Sequence, residues 1–181
     1  IYTGEDTLSL HDALPISHST GRTLSVSFRG ATALWGHAGL EWDLTEATDA
    51  QKAQLKGWID YYKATRDLLH SGRVTRVDQS EPNSWTHGVV AQDGSRALFS
   101  FVALAQSQFS RPANIRLTGL DAASDFLVRV VEPAGTPEYT QVAGPKWFEG
   151  VKVSGAILDK VGLRAPALRP DQALLIEVTR L

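Results

Sequence analysis

Cysteine and methionine are both missing from this chain of 181 residues: Cys 0, Met 0. Without cysteine there can be no disulfide, no thiolate nucleophile and no cysteine-ligated metal. A thiol-free chain is compatible with the cytoplasm, which is the location expected. Without methionine, a chain that opens on Ile1 has no initiator. It is therefore expected to have lost a leading segment or to be part of a longer protein. Also missing is any run near the roughly 20 apolar residues of a membrane helix, or a basic stretch ahead of an apolar signal core. Charge of one sign is scarce, with Lys+Arg 18 against Asp+Glu 20. Neither nucleic acid nor a membrane is expected as a partner.

The sequence also lacks the usual catalytic spacings. His11, His18, His37, His70 and His87 show no i, i+4 or H-x-H pattern, so no metal site is expected. No G-x-S-x-G stretch anchors a hydrolase triad, and no strand–glycine turn–helix context cradles a phosphate.

What is present divides into two textures. Leu24, Phe28, Ala31, Leu34 and Trp35 recur at helical spacing and predict an amphipathic helix over 22–35, stopped by Gly36 and Gly39. Leu40, Trp42 and Leu44 alternate as in a strand. Thr48 with Gln51 forms a capping box before a long helix whose stripe is Leu55, Trp58, Ile59, Tyr62, Leu68 and Leu69. Gly72 stands where a left-handed cap would end that helix. From there on the chain reads as seven short β-rich runs, "RVTRVD", "WTHGVVAQ", "RALFSFVAL", "NIRLTGL", "DFLVRVVE", "GVKVSGAIL" and "ALLIEVTR". Asp93-Gly94 is the strongest hairpin signal among them. Seven strands in succession predict an antiparallel β-sandwich, with "RALFSFVAL" buried on both faces. A lone strand at 40–44 needs partners that these runs, committed to their own sheet, do not supply.

The stretch "GHAGLEWDLTEAT" holds Glu41 and Asp43 two residues apart beside Trp42. On a strand their Cα atoms would lie roughly 6.6 Å apart, given a rise of about 3.3 Å per residue. That separation suits a glycosidase pair, but neighbours on one strand face the same way, whereas catalytic carboxylates flank the sugar bond. A polar strand face, or acids assisting the next helix start, is the simpler reading. Of the five tryptophans, Trp35 and Trp58 fall on apolar helical stripes and belong to a core. Trp85 and Trp147 stand beside turns, where packing or a ligand role is open, packing being favoured.

"TGRTLSVSFRGATALWGHAGLEWDL" followed by "WIDYYKATRDLLHSGRVTRVD" resembles the C-terminal part of bacterial α-galactosidases of glycoside hydrolase family 36, the melibiases. The matching positions are Arg22 and Arg29, then Gly36, Gly39, Glu41, Asp43 and Leu44, then Tyr62, Lys63, Arg66, Leu68 and Gly72. Near the end, Val153, Ser154, Gly155, Leu158, Gly162, Leu163, Pro166, Leu168, Pro170, Ala173, Leu174 and Leu175 match as well. The resemblance covers about residues 18–181. Residues 1–17, with "DTLSLHDALPI", look like translated adapter DNA and are set apart as a non-native or disordered leader.

The resemblance implies an α/β section followed by an all-β one. Residues 18–71 would be the last helix–strand–helix section of a (β/α)8 barrel, and 72–181 an antiparallel β-sandwich domain. It implies a retaining enzyme acting on terminal α-galactosides of melibiose or raffinose type, without metal or organic cofactor. The family's two catalytic aspartates lie on earlier barrel strands, and neither motif occurs here, so no catalytic residue is assigned. Asp43 remains a candidate for the substrate-side rim. The partners implied are a galactose-containing oligosaccharide and, as in other family members, further copies of the same chain.

Overall fold

The structure is a computed structural model that describes residues 24–40, 43–78, 81–109, 112–133, 135 and 144–181. The leader assigned to 1–17 lies outside the described residues, as do Glu41 and Trp42. Two compact units divide between Arg66 and Asp67.

The first unit holds helix α1 (Val26–Ala33) and most of helix α2 (Asp49–Ser71). Ser25 starts α1, its hydroxyl accepting from the Phe28 N–H at 3.1 Å. Val26, Ala31 and Ala33 are buried, as is Leu34 just beyond the helix end. At α2 the expected capping box forms. The Gln51 N–H donates to Thr48 Oγ1 at 3.2 Å, and the Thr48 N–H donates back to Gln51 Oε1 at 2.9 Å. Leu55, Trp58, Leu68 and Leu69 are buried along α2 as the stripe predicts, whereas Ile59 is exposed.

Two expectations in this region fail. Leu40, Asp43 and Leu44 are not in a strand. A strand needs hydrogen-bonded neighbours, and no segment among the described residues ladders onto this stretch. Gly72 has no positive φ. Its value is space: a Cβ there would lie 2.3 Å from Val89 Cγ1 and 2.7 Å from the Leu68 carbonyl oxygen.

Among its described residues the second unit is built on a six-stranded antiparallel sheet in the order β1-β2-β3-β6-β4-β5. Its strands are β1 (Arg73–Val77), β2 (Ser84–Val90), β3 (Arg96–Ala103), β4 (Asp125–Val131), β5 (Val151–Ser154) and β6 (Gln172–Arg180). Asp93-Gly94 does turn the β2–β3 hairpin. Gly94, with φ +65, closes the loop by donating its N–H to the Ala91 carbonyl at 2.8 Å.

One sheet face carries Val90, Ala97, Phe99, Phe101, Leu174, Ile176, Val178, Phe126 and Val128 into the core. Gly88 stands opposite Phe99, where a Cβ would lie 2.4 Å from the ring. β3 is buried on its other face too, at Leu98 and Ser100, as its unbroken apolar run implies.

The sandwich expectation calls for a second sheet over that core; the described residues place irregular chain there instead. "NIRLTGL" supplies a single bridge, Ile115 to Leu163. Leu117 donates to the carbonyl of Leu158, which sits in a helix and continues no ladder. "GVKVSGAIL" divides into β5 and a short helix α3 (Gly155–Lys160), because the Ser154 hydroxyl accepts from the Ile157 N–H and starts a helical turn. A 3₁₀ turn (Lys146–Glu149) adds Trp147 to the same layer.

Candidate functional site

Asp43 lies in the first unit, in the loop that leads to α2. Its Oδ1 accepts from Thr45 Oγ1 at 2.6 Å and from the Thr45 N–H at 2.9 Å. This is a local aspartate turn, fully open to water, with the carboxylate acting on its own backbone two residues on. The Thr45 hydroxyl, and after it the Thr45 amide, hold Asp43 below the usual carboxylate range. It stays ionised with one oxygen engaged. Glu41, the other acid of the pair, lies outside the described residues.

Between α1 and α2 the same unit contains a cavity of about 270 Å³. Gly30, Ala33, Leu34, Leu40 and Trp58 form apolar wall, while Tyr62, Lys63 and Arg66 contribute polar groups. Among the described residues no carboxylate lines it. These walls therefore do not provide the acid pair of glycoside hydrolysis. No group of three or more metal-ligating side chains gathers anywhere among the described residues. No helix among them is long and apolar enough to cross a membrane.

In the second unit the only acid buried among the described residues is Glu81. Its two oxygens accept from Ser107 Oγ at 2.7 Å and from the Ala113 N–H at 2.9 Å, fastening a loop. His87 on β2 is held neutral by burial, its pKa lowered to about 4.

The turn-side tryptophans separate. Trp147 is buried, donates its Nε1–H to the Arg164 carbonyl at 2.9 Å and meets Phe148 edge to face at 4.7 Å. It is core. Trp85 is 44% exposed on the open face of β2. Trp58 is core as its helical stripe predicts, whereas Trp35 lies past the end of α1 and is only half-buried. What the sequence does not single out is the company Trp85 keeps, Arg76 and Asp78, since neither makes a motif with it.

A protein-family model described as Melibiase matches residues 6–72. The match begins inside the segment set apart as a leader. An α-galactosidase from Escherichia coli is 35% identical over 169 residues, covering 90% of this chain and 24% of that protein. The GH36 α-galactosidase AgaB from Geobacillus stearothermophilus superposes with a TM-score of 0.72 at 24% identity, over 91% of this chain and 20% of that one. A variant of AgaA from the same organism, in complex with raffinose, superposes at 0.72 and 24% identity, over 96% and 21%. The two superpositions speak for the fold alone. The chain spans about a quarter of the length of the E. coli relative.

Proposed function

We propose, for a chain that belongs to the melibiase family of GH36 α-galactosidases, a supporting rather than a catalytic part in galactoside hydrolysis. The complete enzyme would remove terminal α-galactosyl groups from melibiose- or raffinose-type sugars. It would retain configuration through a covalent glycosyl intermediate, which needs two carboxyl groups about 5–5.5 Å apart.

The observation that carries the reading is how the acids of this chain are used. Asp43 is committed to Thr45, and Glu81 is buried on Ser107 and Ala113. Asp43 serves its own turn and Glu81 fastens a loop distant in sequence, as structural acids do. In this reading residues 18–71 are the end of the catalytic barrel and 72–181 the domain that follows it. Catalysis belongs to aspartates on other strands of that barrel. A cytoplasmic location and assembly into a homo-oligomer are part of the same proposal.

Asp43 has one role open to it. Its exposed, ionised carboxylate is oriented by Thr45 and retains acceptor capacity for a sugar hydroxyl. At the rim of the substrate side it would steady the galactoside without reacting with it. Substituting the corresponding aspartate by asparagine in a full-length relative should raise KM and leave kcat alone; an unchanged KM rejects the role. The wider reading is tested by turnover, since the folded chain alone should release no nitrophenol from nitrophenyl α-galactoside.

A further inference from the structure

Three side chains from β1 and β2, the exposed Arg76 and Trp85 and the half-buried His87, form a small constellation on the sheet face opposite the core. Arg76 pairs with His87 across the ladder, so Arg76, His87 and, two residues from the latter, Trp85 share one face. The Arg76 guanidinium carbon lies 4.8 Å from the Trp85 ring centroid. Asp78, the next same-side residue along from Arg76, approaches the guanidinium with Oδ1 at 3.8 Å from Nε. His87 meets the edge of the indole, with centroids 6.0 Å apart and planes at 70°. The ring thus has a cation over it and an imidazole steeply inclined beside it, and Trp85 remains 44% exposed.

We propose that this constellation is a saccharide-binding platform, accessory to hydrolysis, for galactose-containing sugars. The choice of galactosides rests on the function proposed above; the choice of a sugar rests on the chemistry here. A pyranose offers a flat face of C–H groups bordered by hydroxyls that both donate and accept. An open indole suits the face. Beside it, an arginine that only donates and an aspartate that only accepts suit the border. The two charges cancel, which disfavours phosphate and nucleic acid, ligands that call for an unopposed cation. A fully apolar partner surface would strip water from both charges and leave only their long contact with each other.

The experiment is saturation-transfer NMR with calorimetry on the full chain, using galactose, melibiose and raffinose as probes. Binding in the millimolar range is expected. Trp85→Ala should weaken it about tenfold or more, and Trp85→Phe should retain part of it, as loss of an aromatic stack predicts. Asp78→Asn and Arg76→Met alter exposed side chains, leave the fold intact by circular dichroism, and should each weaken binding. Affinity unchanged in Trp85→Ala overturns the platform. So does the absence of any saccharide signal at high concentration, or binding of sucrose, added as a probe without galactose, where the three galactose-containing probes do not bind. Self-association that Trp85→Ala abolishes while sugar binding persists overturns it too, because the face would then be a contact between copies. None of these outcomes bears on hydrolysis itself, which turnover of nitrophenyl α-galactoside decides separately.

Discussion

Gly30 and Trp58 pack so closely that a Cβ on the glycine would lie 2.4 Å from the indole Cδ2. This one approach sets how near α1 comes to α2, and with it the floor of the cavity between them. Gly30→Ala would gain about 1 kcal/mol of helix propensity. Forcing a buried indole off its rotamer costs about 1–3 kcal/mol and has no flexible side-chain end to absorb it. The clash should win. Urea unfolding followed by tryptophan fluorescence is expected to show a lower midpoint in the variant.

The capping box at the start of α2 makes a second expectation. Thr48→Ala removes the hydroxyl that accepts from the Gln51 N–H. A loss of about 1 kcal/mol is expected, a usual value for a helix cap. Hydrogen exchange should quicken in the first turn of α2, and the sheet amides should be unaffected.

Local devices of this kind are the ones legible in the sequence. Thr48 and Gln51 need only each other, and Gly94 needs only Ala91, so residue type and spacing suffice. The double burial of β3 is legible because Leu98 to Phe101 leave no clearly polar face. At Leu40, Asp43 and Leu44 no strand forms among the described residues, because alternation gives a strand its faces but not its hydrogen-bonding neighbours. The run after Gly150 misleads because a single hydroxyl, that of Ser154, turns it into a helix. Trp85 and Trp147 stand beside similar turns. Only the distant Arg164 carbonyl, which receives the Trp147 N–H, decides that one is core and the other surface.

His87 should make stability depend on pH. Burial lowers its folded pKa to about 4 from the ordinary 6.5, so the unfolded chain takes up a proton more readily. Stability should therefore be full above pH 6.5 and fall as the pH drops from 6.5 towards 4. The exposed aspartates with lowered pKa, such as Asp93 and Asp121, contribute only further into acid. Unfolding midpoints measured from about pH 7 down to about pH 5 should decline in the parent chain, and His87→Gln should flatten that slope.

Glu81 anchors the loop that follows β3. Glu81→Ala leaves the Ala113 N–H without its acceptor, while the Ser107 hydroxyl keeps the Phe109 carbonyl oxygen at 3.2 Å. Leaving a buried donor unpaired costs about 1–3 kcal/mol. Glu81→Gln keeps an acceptor oxygen and should recover part of the loss. Thermal melts of the two variants, taken side by side, check the order.

The proposal is that this chain, of the melibiase family, does not itself hold the reacting carboxylates of galactoside hydrolysis. It is tested most directly by incubating the purified, folded 181-residue chain with nitrophenyl α-galactoside at high protein concentration. Nitrophenol release no faster than in buffer is expected. Sustained turnover, abolished by substituting one of the chain's own acidic residues, would contradict it.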